Sequence, residues 1–226
     1  MSHLHSIAAA VILAATLGGI HEATAMQPLT TNELVGHAMN AVPDAARGRD
    51  LYQRKCSSCH GQQAWGVGIE AIPALAGQQE FYLVTQLAGF VTQDRTGSTM
   101  HHAVSQTDVT DPQALRDLAA YLSAAPAVKS PEHGDGLQLA SGKRLFESNC
   151  AACHGRYAEG RESEPVPRLA GQHYPYILSQ LKSFAAGHRN QVEPPVLEFT
   201  AGLSSSQQAA IADYVSRAAG TRPLRN

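Results

Sequence analysis

The chain has 226 residues, with 17 Lys and Arg against 19 Asp and Glu, a net charge of −2, and 43% hydrophobic residues. That balance gives no basic field for nucleic acid and is too even to name a protein partner by long-range steering. The length leaves room for two small domains.

In chain order, an apolar stretch from Ile7 to Ile20 leads to Ala23-Thr24-Ala25, a small-x-small cleavage pattern. Residues 1–25 are expected to be a Sec-type signal peptide, although the n-region carries His3 and His5 and no Lys or Arg. The run is short for a membrane span and no later segment is apolar enough for one. The expected product is exported, soluble after signal cleavage and, in a Gram-negative cell, resident in the periplasm. Cleavage removes one charged residue, Glu22, leaving 17 basic against 18 acidic groups. Residues 26–42 form an N-terminal arm without an assigned role.

The first predicted helix, Asp44 to Lys55, leads into Cys56-Ser57-Ser58-Cys59-His60; the same pentapeptide pattern returns as Cys150-Ala151-Ala152-Cys153-His154 and consumes every cysteine in the chain. Cys-x-x-Cys-His is the attachment signature of c-type haem: two thiols form thioethers and the histidine becomes the proximal iron ligand. A zinc ribbon fits poorly, because 90 residues separate Cys59 from Cys150 and a histidine follows each pair directly. A thioredoxin-type redox pair lacks its strand–helix alternation.

Further helices are predicted from Gln79 to Phe90 and from Pro112 to Ser123, the latter opening on proline. A linker rich in helix-ending residues, 125–136, follows. The pattern then repeats at a shift of 94: Pro73, Leu75, Ala76, Gly77 and Gln78 fall on Pro167, Leu169, Ala170, Gly171 and Gln172. Tyr82, Gln86, Leu87, Phe90 and Arg95 fall on Tyr176, Gln180, Leu181, Phe184 and Arg189. Sustained identity of this kind marks a duplicated domain, with units expected at 43–124 and 137–226. In the second unit the helices are expected from His173 to Phe184 and from Ser204, a plausible N-cap, to Ala218. Helical periodicity dominates and no segment alternates as a strand, so the fold class is all-α. Gly48 and Gly142 lie inside the first helix of each unit, where glycine costs helix stability; close approach of the closing helix is the expected reason, with Tyr121 or Tyr214 packing near Tyr52 or Phe146.

Cys-x-x-Cys-His-Gly, Pro-x-Leu-Ala-Gly-Gln, the Tyr-x-x-x-Gln-Leu-x-x-Phe helix and the Leu-Ala-Ala-Tyr closing helix together carry a family resemblance. Over nearly all of residues 44 to 218 the chain resembles the class I diheme cytochromes c, most closely the cytochrome c4 family and the related cytochrome subunits of flavocytochrome c. The resemblance implies two tandem class I cytochrome c domains, each a few helices wrapped around a covalently bound haem c. It also implies one-electron transfer in a respiratory chain, from a dehydrogenase to an acceptor such as a terminal oxidase, with no side chain acting as acid, base or nucleophile.

By the same resemblance, the carbonyls of Pro73 and Pro167 would hold the second ring nitrogen of His60 and His154. Met100 would be the sixth ligand of the first haem, with His101 and His102 as rivals. All four methionines, Met1, Met26, Met39 and Met100, lie in the first half, and the corresponding slot of the second unit holds Pro195, Val196 and Leu197. Three outcomes stay open there: a vacant or water-filled site, His188 as substitute, or another group such as His173 or Lys182. Glu193 and Glu198 flank the slot and read as solvated. An altered second haem motivates an alternative function, a haem enzyme or the cytochrome subunit of an oxidoreductase acting on a small substrate such as a reduced sulfur compound. Any flavin would then belong to a separate flavoprotein subunit.

Overall fold

Helices account for the regular structure of both halves. The computed structural model describes residues 28–96, 99–107, 109–189, 192–218 and 220; the expected signal peptide lies outside the described residues. In the first unit these are α1 (Thr31–Asn40), α2 (Ala45–Lys55), α3 (Ser57–His60), α4 (Glu80–Val91), α5 (Thr99–Ser105) and α6 (Pro112–Ala124). The second unit has α7 (Leu139–Asn149), α8 (Ala151–His154), α9 (Tyr174–Ala185), α10 (Pro194–Ala201) and α11 (Ser205–Ser216). No strand occurs among the described residues. There are two isolated antiparallel bridges, Val67 with Ile72 and Arg161 with Val166, again at a shift of 94.

The starts of the long helices follow from side-chain caps that satisfy otherwise orphaned N–H groups. Asp44 accepts from Ala46 and Arg47 at the start of α2, and Asp111 accepts from Gln113 and Ala114 at the start of α6, where Pro112 takes the first turn. Thr30 with Glu33 and Ser204 with Gln207 form complete capping boxes for α1 and α11. The expected arm over 26–42 thus contains a capped helix. Its Leu34, Val35 and Ala38 are buried in the first core, where α1 packs against α4 and α6. The pair Thr30 and Glu33 was the sequence signal for it.

In each unit the helix that leads into the Cys-x-x-Cys-His motif, α2 or α7, crosses the last helix where the glycine sits. A Cβ on Gly48 would lie 1.9 Å from the Asp117 carbonyl oxygen of α6, and one on Gly142 would lie 2.0 Å from that of Ala210 in α11. The crossing brings Tyr52 to 5.5 Å from Tyr121 and Phe146 to 5.7 Å from Tyr214, measured between ring centroids. These tilted pairs anchor the two cores. Around them pack Leu115, Leu118 and Val84 in the first unit, and Ile177, Ile211 and Val215 in the second.

The units meet across a pseudo-twofold interface in which side-chain amides read backbone. Gln78 accepts from the Arg168 N–H at 2.8 Å and donates to the Arg168 carbonyl at 2.9 Å. Gln172 treats Ala74 the same way, at 2.9 Å for both bonds. One step further, Gln79 donates to the Glu159 carbonyl at 2.8 Å and His173 bonds the Trp65 carbonyl through Nε2 at 2.6 Å. Linker residues close the seam: Trp65 donates to the Pro126 carbonyl, and the N–H groups of Gly134 and Gly136 donate to Asp213.

Because the Gln172–Ala74 bonds are buried, Gln172→Ala would strand a backbone donor and acceptor, a loss of about 1–3 kcal/mol. Calorimetry of the protein with its haems should show an earlier first transition. Gln172→Glu should not rescue it, since a carboxylate has no N–H for the Ala74 carbonyl. An unchanged melting profile in both variants would mean that these bonds contribute nothing to docking.

Candidate functional site

The last turn of α2 hands the chain to the one-turn helix α3, whose Cys56 N–H still bonds the Tyr52 carbonyl at 2.9 Å. The same continuity runs from α7 into α8, with Cys150 N–H on the Phe146 carbonyl at 2.8 Å. Cys56 and Cys150 are half-buried, Cys59 and Cys153 are exposed, and all four are free thiols. Burial, with a smaller push from Cys59, raises the Cys56 thiol to about 11; burial and Cys153 do the same for Cys150. Cys56 and Cys150 are thus shifted in the direction opposite to the depressed thiolate of a thioredoxin-type centre.

Each histidine of the motif is oriented by a proline carbonyl. His60 Nδ1 lies 3.1 Å from the Pro73 oxygen, and His154 Nδ1 lies 3.0 Å from the Pro167 oxygen. A carbonyl can only accept, so Nδ1 carries the proton and Nε2 keeps its lone pair, the tautomer a metal requires. Burial lowers the pKa of both rings, outweighing the carbonyl bond that acts in the opposite direction. The imidazoles are thereby held neutral.

A tight turn brings those prolines under the rings. Gly66 has φ +75° and Gly160 φ +75°; a Cβ there would sit 2.4 Å from the Ile72 oxygen and 2.5 Å from the Arg168 nitrogen. Beside them Ala64 and Ala158 are fully buried at φ 57° and 58°. Their carbonyls gather the N–H groups of Leu75 and Ala76, and of Leu169 and Ala170. The backbone strain of a left-handed alanine is thus offset by paired bonds.

Met100 is half-buried in the first turn of α5, followed by half-buried His101 and exposed His102. The helix packs against α4, as α10 packs against α9. In α10 the opening residues are Pro194, Pro195, Val196 and Leu197, none with a donor for iron. His188 is exposed in the turn after α9, its N–H on the Ser183 carbonyl at 2.9 Å. His173 engages both ring nitrogens, Nε2 with Trp65 and Nδ1 with Glu132, and so is committed to the interface and linker. Lys182, Glu193 and Glu198 are exposed.

The residues present fit a covalently held haem in each unit: two free thiols, a neutral imidazole with one nitrogen to spare, and flanking apolar side chains. Leu75, Phe81 and Leu87 border the first motif's core, and Leu169, Leu178 and Leu181 border the second, all of them half-buried. Among the described residues no group of three or more His, Cys, Asp or Glu converges as a metal cage.

Comparison with known proteins gives a consistent picture. The family model described as cytochrome c matches residues 45–126 and again 139–219. Cytochrome c4 of Pseudomonas aeruginosa is 32% identical over 197 residues, covering 83% of this chain and 94% of that one. A protein of Thiomonas intermedia described as a thiosulfate dehydrogenase electron acceptor is 30% identical over 171 residues, covering 71% of this chain and 77% of its own. The crystal structure of reduced recombinant cytochrome c4 from Pseudomonas stutzeri superposes with a TM-score of 0.66 at 27% identity, over 77% of this chain and 98% of that one.

Proposed function

The chain belongs to the cytochrome c family, and from that premise we propose that His60 and Met100 ligate a first haem iron, and His154 a second whose sixth position no methionine fills. It is a diheme electron-transfer cytochrome with two tandem cytochrome c domains and two covalently bound haem c groups. Cys56 and Cys59 hold the first haem, and Cys150 and Cys153 the second. When bound, the haems supply one-electron chemistry at each iron. The side chains hold, orient and insulate: Pro73 and Pro167 set the imidazole tautomers, and the paired aromatics keep each core closed around its motif. The units correspond to residues 43–124 and 137–226 joined by 125–136, with 1–25 an export signal and the periplasm as destination. No described helix is long and apolar enough to cross a membrane.

The observation carrying the altered second haem is the pairing of an intact proximal side, His154 on Pro167, with an α10 that opens on Pro194, Pro195, Val196 and Leu197. We read the sixth position as open to water or a small ligand, with His188 as the side chain that could close it. Electron paramagnetic resonance of the oxidised protein tests this. A high-spin signal from one haem, abolished by cyanide, is expected. Two low-spin signals indifferent to cyanide would overturn the open site, and the loss of one of them in His188→Ala would assign the ligand.

A second reading is favoured by the relative described as a thiosulfate dehydrogenase electron acceptor and by the same open position. The donor would then be a dehydrogenase acting on a reduced sulfur compound, or the second haem would itself meet such a substrate. Turnover of thiosulfate or sulfide by the isolated protein separates the two: an electron carrier is reduced only when its dehydrogenase is added.

A further inference from the structure

His173 has a task on each ring nitrogen, and its place in the repeat is taken in the first unit by Gln79. Both residues cap the start of a helix, α9 and α4, and both reach across the seam to the turn that follows the other unit's Cys-x-x-Cys-His motif. Gln79 donates to the Glu159 carbonyl and His173 to that of Trp65, two positions that are equivalent at the shift of 94. The next residues match as well: Gly66 N–H bonds the His60 carbonyl at 3.0 Å, and Gly160 N–H bonds that of His154 at 2.8 Å. The two grips differ in one respect. A glutamine amide has a fixed charge, whereas an imidazole gains or loses a proton near neutral pH.

The Trp65 carbonyl can only accept, so Nε2 of His173 carries a proton in either charge state. The variable proton belongs to Nδ1, and Glu132 of the linker offers that atom two alternatives. Its carboxylate lies against Nδ1 as an ion-pair partner, and its backbone N–H points at the same nitrogen from 3.3 Å. A protonated Nδ1 donates to the carboxylate and has no lone pair for the N–H. A bare Nδ1 accepts from the N–H and turns its lone pair on the carboxylate, which is repelled. The carboxylate fits here because Gly68 has no side chain: a Cβ on Gly68 would take its place. The His173 side chain is 5% exposed and that of Glu132 48%, so the carboxylate has water to leave for while the ring stays enclosed.

The other titratable groups around α9 are turned to solvent or engaged elsewhere. Glu70, on the 3-10 turn Gly68–Glu70 that packs against α9, is exposed, as are Glu193 and Glu198 of the α10 segment, Lys182 of α9 itself, and Lys129 and Asp135 of the linker. Asp213 of α11 pairs with Arg217, and His133 Nδ1 lies 3.2 Å from the Ser216 hydroxyl. Burial pushes the phenols of Tyr174 and Tyr214 above their ordinary value, which keeps them neutral.

We propose that His173 and Glu132 form a proton-operated latch that fastens the linker to the seam. Charged, the ring binds the carboxylate; neutral, it keeps the Trp65 bond, releases the carboxylate and holds the linker only through the Glu132 N–H. Charge-assisted hydrogen bonds are the stronger ones, so the latch is closed at low pH and loosens as pH rises through the range in which imidazoles lose their proton. The Tyr174 N–H, on the Glu132 carbonyl at 2.9 Å, reports the state of the linker. The latch is a property of the chain and does not depend on how either haem is ligated.

Residue-resolved amide hydrogen exchange of the holoprotein tests it, read as protection factors corrected for the intrinsic pH dependence of exchange. Tyr174 is expected to lose about fivefold in protection between about pH 5 and about pH 8, and Gly160, on the glutamine side of the seam, less than twofold. His173→Gln copies the residue of the first unit: it keeps a donor for Trp65 and should abolish the pH response of Tyr174. Glu132→Gln should abolish it too, because a side-chain amide can bond either form of the ring. A wild-type response below twofold would overturn the latch, as would one that survives in His173→Gln, which would assign the pH dependence to another group. If His173→Gln does not accumulate, the half-exposed Glu132 replaced by Gln decides in its place, and a full response in that variant would overturn the proposal.

Discussion

Met100→Ala is expected to produce the largest redox change available to a single substitution in this chain. A thioether stabilises the ferrous state, and axial ligation as a whole spans roughly 0.8 V of haem potential. Losing the sulfur should therefore lower the first haem's potential by on the order of 0.1 V or more. The second haem, whose slot holds Val196, should keep its potential, because its ligands are unchanged. Electron paramagnetic resonance should then show two haems that respond to cyanide in place of one. His101 and His102 follow Met100 directly on α5. If Met100→Ala leaves the first potential in place, one of them is the ligand, and the sulfur reading fails.

Gly142→Ala is expected to give the largest loss of stability from the smallest change in volume. On an isolated helix the substitution would help by about 0.8–1 kcal/mol, since alanine is the better helix former. Here the new methyl would lie 2.0 Å from the Ala210 oxygen, 2.6 Å from its carbonyl carbon and 2.9 Å from Tyr214 Cβ. Backbone of α11 cannot rotate aside as a side chain can, so α7 and α11 must separate and loosen the Phe146–Tyr214 pair. Overpacking of this kind costs about 1–3 kcal/mol, occasionally more. Against a typical domain stability of about 5–15 kcal/mol that is a substantial fraction. Denaturant titration of the holoprotein, followed by haem absorbance, should show a lower midpoint for the second unit. A rise in the midpoint would mean that propensity wins and that the crossing is looser than the structure has it. Gly48→Ala should act alike on the first unit, where the obstacle is the Asp117 carbonyl at 1.9 Å.

The legible features share a short range. The helix start at Asp44, the cap Ser204, the proline opening α6, the crossing glycines and the repeat could all be read because each is a pattern within a few residues or at a constant offset. The predicted spans of α4, α6 and α9 differ from the observed ones by no more than a residue at either end. Helix α1 was not read in the arm, although Thr30 and Glu33 offered a local signal for it; its burial had no such signal, because only contact with α4 and α6 gives its apolar face a purpose. Helices α5 and α10 are short, at seven and eight residues, and carry too little periodicity to separate from loop.

The site divides along the same line. The thiol pairs, the two histidines and the methionine deficit are matters of residue identity, and identity is what a sequence states. His173 illustrates the remainder: it begins α9 where its counterpart Gln79 begins α4, yet only the folded chain sets its ring between Trp65 and Glu132. Arg95 and Arg189 were visible as a repeated pair, but only the docked units show that each reaches across the seam to side chains of the other unit. Chemistry written into adjacent residues is determined by covalent proximity, so the sequence alone identified a chain built twice around a haem motif. How the halves pair, which imidazole is spent on the seam and which arginines bridge it depend on contacts between residues about 80 to 110 positions apart. Those distances close only when the helices pack, and so the tertiary structure decided them.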